Sequence, residues 1–382
     1  MKIAKVDLLP VSIPYTHVEM SARVARQGVS DVVVRMETDD GLVGWGECCS
    51  GADTASVAAA ARAMLPLVIG KDPRNGELIR KAVFQTGLWD YRLHTGNFAY
   101  AGLDMAMLDI SARALGTPLW RLLGGLASTE PVTYFCYLQR ADETDLARQC
   151  AAALAQGYAH FYLKVGLEPQ DDERMLRAVR RAIGPRSRLR IDANEAWTQP
   201  QAAKLLTRWD AEFDLDFIEA PVKAHPIRLM ADFKRKLPLP LCANEGLDGE
   251  NNVMEVIHHA AADVLCFSSY WVGSLRAFIT LSRTAGLAGI TVCKHTHGEF
   301  GIAAAAHQQA LLTIGNGIGG HQQTASVLAD DIVTAPLPIA SGPSWQASEA
   351  PGLGIAIDQD KLDFYHRAFE KDGQFLPWAG AN

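Results

Sequence analysis

The order of apolar and polar residues divides the chain into two parts with different patterns. In the first part, two strand-like runs flank the Thr-Asp-Asp-Gly sequence at residues 38–41, which is typical of a β-hairpin. Apolar residues at helical spacing follow over residues 99–116. Together they predict an α+β unit over residues 1–125.

From about residue 130, short apolar runs alternate with amphipathic helices. The runs cover residues 132–138, 160–166, 188–194, 215–221, 239–246, 263–270 and 289–295. The segment 171–185 between two of them has acidic residues at its start, arginines near its end and a final Gly-Pro, which predicts a helix.

Strands and helices that alternate every 25–30 residues or so are typical of a parallel sheet. Seven or eight such units predict an α/β TIM barrel over residues 126–335. The remaining tail, residues 336–382, is predicted to return to the N-terminal unit.

Composition and charge limit the classes of partner that we expect the chain to bind. The net charge of −7 argues against nucleic acid, which needs a basic face. No apolar run approaches the length of a membrane span, and the N-terminus lacks a signal-peptide pattern. The seven cysteines form no CxxC motif. We therefore expect a reduced cytoplasmic protein that binds neither nucleic acid nor membrane.

Polar residues end the apolar runs at regular intervals. Lys164, Asp192, Glu219, Glu245 and His295 each fall at or directly after the end of a run. In a TIM barrel these ends meet at one mouth, where the chemistry takes place. Each carboxylate alone is explained as well by capping of the next helix. Three in register repel one another unless a cation lies among them, and hard oxygen ligands favour Mg²⁺.

These motifs resemble the mandelate racemase / muconate lactonizing enzyme branch of the enolase superfamily. The matching segments are Leu-Lys-Val-Gly around Lys164, Arg-Ile-Asp-Ala-Asn around Asp192, Phe-Ile-Glu-Ala-Pro around Glu219 and Ala-Asn-Glu-Gly around Glu245. The resemblance implies a modified (β/α)7β TIM barrel with an α+β N-terminal capping domain completed by the C-terminal tail. It also implies that the three carboxylates bind Mg²⁺, with Asn194 beside the first of them.

The resemblance further implies removal of a proton alpha to a carboxylate of a small-molecule substrate, with Lys164 as the base for one face. To act near pH 7, Lys164 needs a lowered pKa, which burial and a nearby cation favour. Many relatives carry a second lysine where this chain has Tyr162. That residue is predicted to hydrogen-bond the lysine or the substrate.

The opposite face departs from the family pattern. The sixth strand end has no lysine, which argues against muconate-lactonizing and dipeptide-epimerase types. His295 follows the seventh strand, with His297 as the alternative, but Ser268 stands near the position of the aspartate that orients such a histidine. Glu299 or a backbone carbonyl is predicted to orient it instead. An imidazole without an acid partner suits proton donation better than proton abstraction.

These features favour dehydration of a hydroxylated, sugar-like acid, in which Lys164 takes the alpha proton and His295 protonates the departing hydroxyl. The alternatives are a cycloisomerase or racemase/epimerase acting on a carboxylate or lactone, and a catalytically silent relative that binds a carboxylate. Capping loops at 15–30 and 48–55 are expected to set specificity, and the resemblance implies a homo-oligomer, either a dimer or an octamer. Polar pocket groups are expected at Ser268, Ser269, His321, Gln322 and Gln323, with an aromatic wall at Tyr270 and Trp271.

Overall fold

The computed structural model describes residues 1–51, 53–86, 95–335 and 343–377. Its strands are β1 (Ile3–Met20), β2 (Ala25–Thr38), β3 (Val43–Cys48), β4 (Val132–Thr133), β5 (Cys136–Leu138), β6 (His160–Lys164), β7 (Arg188–Asp192), β8 (Leu215–Glu219), β9 (Leu241–Ala243), β10 (Val264–Phe267), β11 (Thr291–Lys294) and β12 (Ser344–Trp345). Its α-helices are α1 (Thr54–Val68), α2 (Gly76–Thr86), α3 (Thr95–Ala114), α4 (Leu119–Leu122), α5 (Glu143–Ala155), α6 (Pro169–Ile183), α7 (Gln199–Phe213), α8 (Ile227–Lys234), α9 (Glu250–His258), α10 (Ser269–Val272), α11 (Leu275–Leu287), α12 (Gly301–Leu311) and α13 (Gln359–Asp372).

The N-terminal unit is an antiparallel sheet, β1-β2-β3, covered by α1 and α3, and α2 packs on these two helices. The predicted hairpin is confirmed, since β2 ends at Thr38 and β3 begins at Val43. Helix α3 lies directly on β3 because Gly46 and Gly102 face each other. A Cβ atom on Gly46 would lie well inside contact distance of the Gly102 carbonyl oxygen, so both positions must stay without side chains.

The larger unit is a parallel sheet in the order β11-β10-β9-β8-β7-β6-β5. Residues 317–322 close it into a ring. Ile318 and Gln322 donate backbone N–H groups to carbonyls of β11, while His321 exchanges backbone hydrogen bonds with Thr133 and Phe135. The predicted modified TIM barrel with an N-terminal cap is confirmed.

Helix α6 illustrates how the sequence sets the barrel units. It begins at Pro169, a residue favoured in a first turn, and its buried face includes Leu176 and Val179. It ends at Ile183 and is capped by Gly184, whose φ of 69° is a conformation that favours glycine. The helix predicted within residues 171–185 therefore exists and begins two residues earlier.

The interior of the barrel contains a buried arginine and a group of buried apolar side chains. Arg190 is fully buried, pairs with Asp216 and donates to the carbonyls of Gly319 and Gly320. A separate cluster of buried residues fills the space around it and consists of Phe217, Cys242, Val264, Cys266 and Cys293. In the described part of the chain, the interior of the barrel is therefore packed beneath its mouth.

The C-terminal tail packs on the N-terminal sheet through α13, which contacts β1. His366 Nδ1 lies 2.7 Å from the Pro10 carbonyl, and Ser12 donates to the Gly373 carbonyl at 3.0 Å. The predicted boundary at residue 336 lies outside the described residues, and the exact domain limits stay a prediction. Among the helices of the described ranges, none has the length and apolarity of a membrane span.

Asp109 joins α3, β3 and the tail. Its carboxylate has no exposed surface and accepts from Arg113 Nε (2.9 Å), from the backbone of Trp45 (3.0 Å) and from the backbone of Leu353 (2.8 Å). We expect Asp109→Ala to cost about 2–4 kcal/mol, because it leaves Arg113 and the backbone N–H groups of Trp45 and Leu353 without their common acceptor. Urea unfolding checks this, with the exposed Asp363→Ala as the control; equal midpoints for the two variants would contradict it.

Candidate active site

The ends of β6, β7 and β8 bring the first predicted site residues side by side. Lys164 pairs in register with Asp192, and Asp192 with Glu219. Glu245 follows β9, the next strand of the sheet, by two residues. Parallel strands end at one edge, so the four side chains share the mouth of the barrel. Asp192 and Glu219 are buried beneath it.

Asp192 is held by three donors. The Tyr162 hydroxyl donates to Oδ2 at 2.6 Å, and Lys164 Nζ donates to the same oxygen at 2.5 Å. The backbone N–H of Asn194 donates to Oδ1 at 2.8 Å. Tyr162 therefore bonds the carboxylate, not the lysine as the sequence suggested, and its ring lies beneath the Lys164 ammonium at 5.5 Å.

Glu219 and Glu245 are held by amides. Gln322 Nε2 donates to both oxygens of Glu219, at 3.1 and 2.8 Å, and Asn194 Nδ2 donates to Glu245 Oε1 at 3.0 Å. The second oxygen, Glu245 Oε2, is buried and has no hydrogen-bond partner. Burial and the neighbouring Asp192 raise the pKa of Glu245 to about 7 and that of Glu219 well above its usual value. The site therefore holds more negative charge than its own donors neutralise.

This donor set fits a hard cation in kind, since it offers three carboxylates and one oxygen without a partner. In the described part of the chain, two groups of side chains have all their ligand atoms within 4.8 Å of one another, and neither group contains all three carboxylates. One of those groups combines Glu219 with Cys242 and Cys266. Burial raises the pKa of both thiols, so they stay protonated and ligate poorly.

The charge of Lys164 depends on the carboxylates around it. Burial alone would lower its pKa, but the surrounding carboxylates, Asp192 first, outweigh burial and raise it above the usual value. Its amine also donates to Asn194 Oδ1 at 3.0 Å. The lysine itself thus balances Asp192 here, and the lowered pKa that the sequence links to burial and a nearby cation stays a prediction.

His295 lies across the mouth, directly after β11. Its Nδ1 is 2.9 Å from the Tyr270 hydroxyl and 3.4 Å from the indole nitrogen Nε1 of Trp271. Ser268 Oγ donates to the His295 backbone carbonyl. Burial, followed by His297 and nearby lysines, lowers the pKa of the imidazole well below its usual value. Aromatic residues therefore orient this ring.

The prediction that Glu299 or a backbone carbonyl orients His295 is wrong. Glu299 is buried and pairs with Lys294 and with His307 Nδ1, at 3.2 Å from the latter. His307 Nε2 in turn lies 2.9 Å from the Ser269 hydroxyl. Lys294 thus neutralises Glu299, and this acid does not orient the His295 ring.

His297 stays a candidate beside His295. The two rings meet edge to face with centroids 4.9 Å apart, and His297 also packs against Trp271 at 5.0 Å. Both histidines line the mouth of the barrel.

A cavity of about 230 Å³ opens over these residues. The predicted residues that line it are Tyr162, Lys164, Asn194, Glu245, Trp271, His295, His297, Gln322 and Gln323. The other predicted polar groups serve the framework. Ser269 bonds His307, and His321 Nδ1 accepts the backbone N–H of Lys294 at 3.0 Å. Tyr270 contributes its hydroxyl to His295 and is not part of the cavity wall.

The N-terminal unit supplies cavity residues that the sequence had not singled out. Glu19 accepts from the Tyr137 hydroxyl at 3.1 Å and lies 3.6 Å from Arg26, which donates to the His297 carbonyl at 3.1 Å. The expected loop at 15–30 is the tip of the long β1–β2 hairpin. No motif marks these side chains; the only available signal was their position in the segment expected to set specificity.

Comparison with known proteins agrees with this arrangement along the whole chain. The family model for the mandelate racemase / muconate lactonizing enzyme N-terminal domain matches residues 4–124, and the enolase C-terminal domain-like model matches residues 145–361. An N-succinyl-L-Arg/Lys racemase from Bacillus cereus is 27% identical over 378 residues, which are 95% of this chain and 97% of the relative. A cis-3-hydroxy-L-proline dehydratase from Roseibium aggregatum is 32% identical over 285 residues, 72% of this chain and 74% of the relative.

The solved structures give the same picture. An enolase from Streptomyces coelicolor, described as a putative sugar isomerase, has a TM-score of 0.87 and 31% identity, and the match covers 98% of this chain and 99% of that one. Further relatives with 26–29% identity are cycloisomerases and an epimerase. The similar proteins are thus enzymes of several reaction types.

Proposed function

Because the chain belongs to the mandelate racemase / muconate lactonizing enzyme branch of the enolase superfamily, and its relatives are enzymes, we propose that it removes a proton alpha to a carboxylate and eliminates a beta-hydroxyl. The proposed substrate is a small hydroxylated acid. The observation that carries this proposal is that Lys164 and His295 line one cavity together with Glu245, above the buried Asp192 and Glu219.

Asp192, Glu219 and Glu245 would hold Mg²⁺. When bound, the cation supplies positive charge that stabilises the negative charge developing on the substrate carboxylate. With the carboxylate charges balanced in this way, Lys164 no longer has to serve as their counter-ion. Asn194 and Gln322 keep Glu245 and Glu219 in place through the hydrogen bonds described above.

The residues of the chain then divide the proton transfers between two sides of the cavity. Lys164 Nζ takes the alpha proton, and the bond from the beta-carbon to its hydroxyl breaks with the electron pair on oxygen. His295 Nε2 gives its proton to the departing oxygen, so that the hydroxyl leaves as water, and the ring regains a proton from solvent after the product has left.

The distal wall of the cavity supports a hydroxylated substrate. Glu19 and Arg26 lie 3.6 Å apart with opposite charges, and Arg26 Nε is buried without a hydrogen-bond partner. A hydroxyl group can donate to Glu19 and accept from Arg26, whereas a second carboxylate would be repelled by Glu19. The dehydratase among the relatives supports the elimination step.

The test incubates the Mg²⁺-loaded protein with a set of hydroxylated acids in D₂O and follows each by proton NMR. Elimination is expected to remove the alpha-proton signal and yield a dehydrated product. Exchange that yields an isomer and no dehydrated product would contradict the proposal and indicate an isomerase. Complete absence of exchange and turnover across the set would indicate a carboxylate-binding protein without catalysis.

A cycloisomerase is the second candidate, because one base and one hydrogen donor on opposite walls also suit opening or closure of a lactone. The relatives include a D-galactarolactone cycloisomerase at 29% identity. The same NMR experiment separates the two, since cycloisomerisation releases no water.

His295→Ala is expected to separate exchange from turnover. Lys164 and the cation alone suffice to remove the alpha proton, so deuterium uptake should continue, whereas elimination should fall about 10²–10⁴-fold without the donor. Proton NMR in D₂O measures both on one sample. If neither rate changes, His295 has no chemical role, and the corresponding His297→Ala variant should then show the separation.

A further inference from the structure

We infer that Trp271 and Tyr270 are positioning residues that fix His295 as a hydrogen donor through Nε2 and prevent it from acting as a base. The inference rests on the proposed function only for its catalytic consequence, because the state of the ring is a property of the protein itself.

The indole nitrogen of Trp271 decides which ring nitrogen carries the proton. An indole N–H can only donate, and it lies 3.4 Å from Nδ1 of His295. Nδ1 must therefore be the acceptor, and the proton of the neutral ring is on Nε2.

Tyr270 supports the same tautomer. Its hydroxyl lies 2.9 Å from Nδ1 and is fully buried, so it has no water to bond. It also lies 3.1 Å from the His295 carbonyl oxygen, which can accept from Tyr270 as well as from Ser268. Nδ1 is the nearer acceptor, and because it already accepts from Trp271 it has no proton to give to Tyr270, so the Tyr270 hydroxyl donates to Nδ1.

No carboxylate reaches Nδ1 among the described residues. Glu299, the nearest acid in sequence, pairs with Lys294 and lies 3.2 Å from His307 Nδ1. A carboxylate at Nδ1 would accept its proton and leave Nε2 free to take one from carbon. Two neutral donors at Nδ1 do the opposite, because they leave no room for a second proton on the ring. The lowered pKa of His295 agrees with a ring that stays neutral.

The free nitrogen points to the substrate side. His295 lines the cavity, and its Nε2 makes no hydrogen bond within the part of the chain that the structure describes. Such a ring donates to a departing or developing oxygen but cannot abstract a proton. Only one base, Lys164, then acts on the alpha carbon, so a single alpha epimer should exchange in D₂O.

The test is nitrogen-15 NMR of the full chain, Mg²⁺-loaded and labelled at its eleven histidines, near pH 7. The His295 signals are identified by their loss in His295→Gln. We expect wild type to show a protonated Nε2 and an unprotonated Nδ1. We expect the Trp271→Phe/Tyr270→Phe double variant, which keeps both rings but removes both donors, to gain the Nδ1-protonated form.

Trp120→Phe and Tyr100→Phe are matched controls, because each removes a donor that bonds a backbone carbonyl elsewhere. They should leave the His295 signals unchanged. A protonated Nδ1 in wild type would overturn the inference, and so would an unaltered tautomer in a folded double variant. The wild-type spectrum alone decides if that variant does not fold. The spectra need no substrate, so an enzyme that eliminates nothing would refute the proposed function and leave this result standing.

Discussion

Lys164→Ala is expected to lose alpha-proton exchange and turnover together, each by about 10²–10⁴-fold, the range for removal of a general base. The reason is geometric as well as chemical. Lys164 is the amine that lines the cavity beside Glu245 and Asn194, with its ammonium over the Tyr162 ring. Deuterium uptake at the alpha carbon measures the first step directly and separates this variant from His295→Ala, which should keep exchanging.

The same substitution at an exposed lysine provides the control. Lys204 lies on the solvent side of α7, and Lys204→Ala should exchange and turn over like wild type. Mg²⁺ binding should persist in Lys164→Ala, because removal of the ammonium leaves the three carboxylates in place. If Lys164→Ala keeps its exchange rate, the base lies elsewhere and the assignment is wrong.

The fold and the carboxylate cluster could be predicted because each rests on a short-range pattern repeated along the chain. Alternating strands and helices define the barrel, and residues at strand ends must meet at its mouth whatever their side-chain rotamers. Asp192, Glu219 and Glu245 follow from register alone. The pattern does not depend on how the two units of the chain pack.

The rest of the site depends on contacts between distant segments. Glu19 and Arg26 reach the cavity from a hairpin that begins in the N-terminal unit, and no local pattern links them to β6 or β11. The sequence predicts an acid, Glu299, or a backbone carbonyl as the partner of His295, but Glu299 is neutralised by Lys294, one residue before the histidine. Which acid can orient a histidine depends on the ion pairs between buried side chains, and these pairs can be read only from the folded structure.

Glu219→Gln is expected to remove metal binding and activity while leaving the fold intact. The amide keeps the shape of the carboxylate, and the barrel core does not need its charge. The charge stabilisation that a cation supplies is worth several kcal/mol, so turnover should fall about 10³-fold or more.

A readout independent of catalysis is the melting temperature, which a ligand of the folded state raises. Added Mg²⁺ should raise it for wild type and for the exposed Glu255→Gln control, but not for Glu219→Gln. Chelation should abolish wild-type activity reversibly, since the three carboxylates remain to bind the ion when it is restored. Full activity in a thoroughly demetallated sample would exclude a metal-dependent site at these carboxylates.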